Sequence, residues 1–359
     1  MGLFSRKKIV SVVEATFKVK VSEFWAWWSE NASRIRASVD SDGGREIQPE
    51  ISEQVSKLGP HFAWVLGPHP EGEEHGHSLT LSPEGVLNYL FLTSYWLKRA
   101  PKVDGWHFYS SRQPSTALDG AAIRIGDFEL KASELWLTPA IDEEKEQLDI
   151  TAWSPIFAEI EERVAFQVLF LLLDEALGEN GVNQWLGHIE MKDDQLAESF
   201  PLSELPEQLE IFKEKFEWKK FPLEETYTLY RFKNPEKGFP RQDLITLNTQ
   251  NPRVTLDYIE AEGCLDDPID NTGASYCFIQ IPMSQFTEKK QVDIRAAWED
   301  ALEESLSKEQ AGRILGGGLG TEFAYIDLLI FDGDRSMELI KQTLDQHEAR
   351  QYRIIPFAK

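Results

Sequence analysis

The sequence predicts an α+β protein of two domains, each a mainly antiparallel sheet with helices packed on it. Three observations carry the prediction. At 359 residues the chain is long enough for two ordinary domains. Short aromatic and β-branched runs at hairpin spacing alternate with helices of 3.6-residue periodicity. Residues 192–224 are rich in charge and proline and read as a boundary. We therefore place an N-terminal α+β domain at 1–195, an amphipathic connecting helix at 196–225 and a C-terminal domain at 226–359.

The first element is a helix over "SEFWAWWSENASRI", with Phe24, Trp28, Ala32 and Ile35 on one stripe, Trp25 and Trp27 at its edges and Ser22 as N-cap. Polar residues on the opposite face favour core burial of the tryptophans over an exposed stacking platform. Two strands, "HFAWVLG" and "HSLTLSP", follow around an acidic, histidine-bearing connection. Ser82 and Pro83 should open the next helix, because proline at a first helical position forfeits no backbone hydrogen bond; Pro101 ends it. "GWHFYSS" is an aromatic strand, and "ELWLTP" with "LDITAW" forms a hairpin around the charged loop "IDEEKEQ". A leucine-rich helix from Ile156 to Leu177, stopped by Gly178, covers the sheet.

In the boundary stretch, Leu205, Leu209, Phe212 and Phe216 make "LPEQLEIFKEKFEW" an amphipathic helix that must dock on an apolar surface, its own chain first of all. Strands "YTLYRF" and "DLITLN" come next, then a polar loop rich in Asp, Asn and Gly. From Tyr276 onward the order is strand, helix, strand, strand, helix, strand, which is the ferredoxin-like arrangement of an antiparallel sheet with two helices on one face.

The glycines of "GRILGGGLGTEFAYIDLLIFD" do not form a phosphate cradle. A dinucleotide fingerprint needs a helix after its glycines and a P-loop needs Lys and Ser or Thr, whereas Gly320 is followed by Thr321, Glu322 and a strand. Gly316, Gly317, Gly318 and Gly320 are expected at the turn between two strands, with a small anion-binding or interaction nest as the functional alternative.

Sixty-one acidic against 37 basic side chains give a formal charge of −24. That charge repels nucleic-acid backbones and anionic membranes; it suits solubility or the attraction of a basic protein. The longest apolar run, "VAFQVLFLLL", falls short of a membrane span and reads as a buried helix. Two cysteines, Cys264 and Cys277, fit core thiols in a reducing cytoplasm, and the N-terminus carries neither a signal-peptide stretch nor a myristoylation pattern.

Among chemical constellations, "HPEGEEHGH" is the densest. His69, His75 and His77, with neighbouring glutamates, are suitable ligands for zinc or nickel, and an extended chain would aim His75 and His77 to one side. No zincin spacing accompanies them, and a solvated hairpin tip accounts for the same residues. His107 and Arg112 in "GWHFYSSRQPS" are placed to flank a pocket, although a histidine on an aromatic strand is more often structural. No nucleophile elbow is present. Carboxylate pairs such as Asp174 with Glu175, and Asp266 with Asp267, arise by chance in so acidic a chain.

The stretch from "AAWEDALEESL" through "GRILGGGLGTEFAYIDLLIFDGDRSMELIKQTL" resembles bacterial domains of unknown function, most closely domain-of-unknown-function family 695, and shares the layout of the acidic regulator B of ribonuclease E activity. The phrases "FWAWW", "GWHFYSSRQP" and "LLLDEALGEN" followed by "GHIE" are similar to a widespread uncharacterised bacterial family. The resemblance implies a bacterial cytoplasmic protein that acts by binding another protein. The expectation is a non-enzymatic acidic binding or regulatory protein, of inhibitor or immunity type, that needs no cofactor. The alternatives are a metal-dependent hydrolase, with zinc or a similar metal as cofactor, using His69, His75 and His77, and a subunit that self-associates through its aromatic helix.

Overall fold

A computed structural model describes residues 14–68, 76–115, 117–125, 128–219, 221–286 and 291–358. The chain is α+β and divides into two compact units. One takes in residues 25–56 and 61–227; the other takes in the described part of 1–24 with 57–60 and 228–359. The described start of the chain, up to Phe24, is counted with residues 228–359 and not with the unit that follows it in sequence. No helix among the described residues is long and apolar enough to cross a membrane.

The first helix, α1 (Phe17–Asp42), is longer at both ends than its tryptophan-rich centre predicts. Ser22 lies inside it and caps nothing; Thr16 Oγ1 instead accepts the Val19 N–H (3.4 Å), satisfying a donor of the first turn. Phe24, Trp28, Ala32 and Ile35 are buried as expected. α2 (Gln48–Leu58) follows, then β1 (Ala63–Pro68) and β2 (His77–Ser82), an antiparallel pair. α3 (Leu87–Leu97) starts later than proposed, because Pro83–Gly85 form a turn with Glu84 and Gly85 in the left-handed region (φ 52° and 73°). It carries the chain across to β3 (Trp106–Tyr109), which lies parallel to β2. The tryptophans are core: Trp25 stacks on Trp96 (centroids 4.4 Å apart) and donates Nε1–H to the Trp96 carbonyl, while Trp28 meets Trp106 edge to face.

The rest of this unit begins with β4 (Ala122–Ile125) and β5 (Phe128–Lys131), a two-stranded pair. β6 (Trp136–Asp142) and β7 (Gln147–Trp153) form the expected hairpin. α4 (Glu162–Leu177) ends at Gly178 (φ 71°), and α5 (Glu179–Trp185), β8 (Leu186–Met191), β9 (Phe200–Pro201) and α6 (Leu205–Phe216) complete the unit. The sheet order is β8-β7-β6-β9. Alternate residues of β7, Leu148, Ile150 and Ala152, point into a core with Val168, Leu169, Leu172 and Leu173 of α4. Leu205 and Leu209 of α6 join that core, so this helix docks on its own chain.

The C-terminal unit contains β10 (Thr228–Arg231), β11 (Leu244–Thr249), α7 (Pro252–Glu260), β12 (Ser275–Pro282), α8 (Gln291–Lys308), β13 (Gly312–Gly320), β14 (Phe323–Ile330), α9 (Gly333–Gln346) and β15 (Arg353–Pro356). Its six strands are antiparallel in the order β10-β11-β13-β14-β12-β15. Ile279, Ile281, Ile326 and Leu328 on one face of the sheet pack with Trp298, Leu302, Leu339 and Ile340 of α8 and α9. The opposite face holds a buried ion pair. Arg241, 0% exposed and in the left-handed region (φ 78°), bonds both oxygens of Asp327 (1% exposed), donates Nη2–H to Thr255 Oγ1 (3.0 Å) and lies over the rings of Phe278, Tyr325 and Phe357.

Gly316, Gly317 and Gly318 are inside a strand, not at its turn; Gly320, the last residue of β13, does adjoin the turn at Thr321 and Glu322. Gly316, Gly317 and Gly318 are buried in β13, paired on one side with Thr249, Asn248 and Leu247 and on the other with Asp327, Ile326 and Tyr325; a bulge separates Ile314 from Gly316. Close approach of both neighbours is the reason for glycine here: a Cβ on Gly317 would stand 2.0 Å from the Tyr325 carbonyl oxygen, and one on Gly320 2.2 Å from Asp243 Oδ2. An anion nest needs consecutive amides open to a ligand, which these buried, doubly paired residues do not offer.

Candidate functional site

The site is built on α4. A helix that covers a sheet needs one apolar face, and α4 has it in Ala165, Val168, Leu169, Leu172 and Leu173. A second set at helical spacing, Val164, Gln167, Phe170, Leu171 and Asp174, forms the floor of a groove of about 990 Å³. Phe170 (42% exposed) and Leu171 (37%) stand open in it. The walls are Ile123 and Arg124 of β4, Val182 and Asn183 of α5, the Glu84–Gly85 turn and Arg112.

One end of the groove is acidic. Gly178 ends α4, and its positive φ and lack of a side chain let the chain turn tightly against residues 112–114: a Cβ there would lie 2.9 Å from Pro114 Cδ and 3.0 Å from the Arg112 carbonyl oxygen. This turn delivers Glu179, 2% exposed, whose N–H donates to the Arg112 carbonyl (3.0 Å). Its carboxylate accepts hydrogen bonds from Ser82 Oγ (2.8 Å), from the Arg112 N–H (3.2 Å) and from the Gly85 N–H. These donors are all neutral, because the Arg112 guanidinium is paired with Glu84 Oε1. Glu84 therefore occupies the left-handed turn with its N–H on Ser82 Oγ (3.1 Å) and its carboxylate on Arg112.

Asp174 lies beside this cluster, and its carboxyl has no hydrogen-bond or ion-pair partner among the described residues. Burial pushes its carboxyl up to about 7, with the charge of Glu179 the next contributor; Glu84 and Glu175 add to the rise and Arg112 opposes it. Two carboxyl groups in one cavity are thus held differently: Glu179 is tied down by three hydrogen bonds, and Asp174 exchanges its proton near neutrality. The arrangement is able to bind, and to trade a proton with what it binds.

Sequence reasoning passed over Asp174 as a chance pair with Glu175 and did not single out Glu84 or Glu179. His107 and Arg112 were expected to flank one pocket; Arg112 lines this groove, and His107 lines a different, polar one with Arg36, Lys102 and Asp104. The run "VAFQVLFLLL" was read simply as a buried helix, yet it holds more apolar residues than one buried face requires, and that excess was the available signal.

Of the three proposed metal ligands only His77 belongs to the described residues. His69 and His75 lie outside the described residues; His77 Nε2 is 2.7 Å from Asp40 Oδ1. Among the described residues no group of three or more His, Cys, Asp or Glu is placed to hold a metal ion. Cys277 is a core thiol, pushed up to about 12 by burial and then by Asp327, but Cys264 is exposed, contrary to the expectation for it. No protein-family profile, no curated protein and no solved structure matches this chain.

Proposed function

We propose that this chain is a non-enzymatic acidic binding or regulatory protein, of inhibitor or immunity type, and that the groove over α4 is the face with which it holds a protein partner. The observation that carries this reading is the second apolar face of α4. Phe170, Leu171 and Val164 line a cavity of about 990 Å³. Open apolar side chains gathered in a concave surface, rimmed here by Arg124 and Arg163, are the usual mark of an interaction site. The formal charge of −24 supports a basic partner, drawn in by long-range attraction. The C-terminal βαββαβ segment, with strand order β13-β14-β12-β15, supports a ferredoxin-like assignment and with it the layout of the ribonuclease regulator.

The test is a pull-down from native-host lysate at low and at physiological salt, using the full chain and its Leu171→Asp variant. A basic protein held stoichiometrically by the wild-type chain, weakened by salt and lost from the variant, is the expected result. Equal capture by both chains would remove the groove from the account.

A further inference from the structure

We propose that the acidic end of the α4 groove receives a cationic group on an apolar stem, namely a lysine or arginine side chain of the protein partner, seated between Asp174 and Glu179 with its stem along Phe170 and Leu171. This deepens, and rests on, the reading of the groove as the binding face. The charged groups that face this end come from every surrounding element. Glu179 enters from α5, Glu84 from the turn before α3, Asp174 and Glu175 from α4, and Arg112 from the segment after β3. The guanidinium of Arg112 is engaged by Glu84, so that pair is internally neutral. The Glu179 carboxyl is held by three neutral donors, and the Asp174 carboxyl has no hydrogen-bond or ion-pair partner among the described residues. What remains is a carboxylate and a second carboxyl awaiting a counter-ion, and an anion there would meet repulsion.

The two arginines of the rim do not reverse this. Arg124 is paired with Glu129 (3.2 Å), and Arg163 belongs to the first turn of α4, three helical turns from Asp174. The apolar side chains between them and the acidic end fit a methylene stem, as lysine and arginine present when their charged heads reach past apolar surface.

Seating a cation against ionised Asp174 displaces its proton wherever the free site is protonated. Because burial holds that carboxyl near neutrality, affinity is expected to be level in mildly alkaline solution and to weaken about tenfold on going from about pH 8 to about pH 6.

Ligand-observed NMR on the full chain tests this, with hexylammonium as the probe and hexanoate as its anionic counterpart. Saturation transfer to hexylammonium, weaker by about tenfold in affinity at about pH 6, level across pH in Asp174→Asn, abolished in Leu171→Asp and absent for hexanoate, is the expected set of results. Hexanoate bound as well as hexylammonium, hexylammonium affinity level across pH in the wild-type chain, or no binding of the amine would each overturn the proposal. The two readings fail separately. Partner capture that depends on Leu171 alongside silence from the amine overturns the cation site and leaves the binding face in place; capture that ignores Leu171 overturns both.

Discussion

Replacing Asp174 with asparagine should stabilise the protein, and only where the pH is high enough. In the unfolded chain this carboxyl titrates at its ordinary 3.8, and in the folded chain at about 7. The folded state therefore holds the proton more tightly. Its contribution to stability is complete below 3.8, declines as the pH rises through the interval to about 7 and is level above it. At 1.36 kcal/mol for each pH unit of the gap, the total loss is about 4 kcal/mol, an upper bound because the groove is open to water. Asparagine keeps the size and loses the charge, so the variant escapes the loss. Its advantage over the wild-type chain should grow by about 2.5 kcal/mol between about pH 5 and about pH 8. Urea unfolding followed by tryptophan fluorescence measures both chains across that range, and taking their difference cancels the titration of other groups. An advantage that stays constant with pH, or a variant less stable than wild type at the alkaline end, would refute the reasoning.

Two further outcomes concern the C-terminal unit. Arg241→Met leaves the buried carboxylate of Asp327 without its counter-ion, and unfolding measurements should show a loss of about 3–5 kcal/mol, much of it regained in the double variant with Asp327→Leu; a change under about 1 kcal/mol would mean the pair contributes little. Gly317→Ala forces a methyl against the Tyr325 carbonyl and should cost roughly 3 kcal/mol, whereas Gly120→Ala, with nothing within 4 Å, should be tolerated; equal melting points for the two would contradict the packing of β13.

Much of the architecture was legible because it is written in local periodicity. The stripe of α1, the hairpin of β6 and β7, the stop at Gly178 and the strand and helix order after Tyr276 all follow from spacings of two and 3.6. α7 was hidden because it is short and only Val254, Thr255 and Tyr258 of its residues are buried; Pro252 at its first position was the available mark. The glycines misled because a strand interior rarely tolerates so many. What favours them is the pressure of β11 and β14 from either side, and no local pattern records it. The candidate site was the least legible part. Gly85 and Glu179 meet across 94 residues of chain, and the elevated Asp174 carboxyl results from burial among partners that only the fold assembles.

The central claim is that the α4 groove holds a protein partner, and site-specific photo-crosslinking in the native host tests it most directly. A benzophenone side chain is placed at Leu171 in the groove, or at Ile211 of α6, which is 48% exposed and does not line it. The account predicts one dominant crosslinked protein, basic in composition, from position 171 and none from position 211. The same products from both positions, or none from Leu171 while another surface captures a partner, would contradict it.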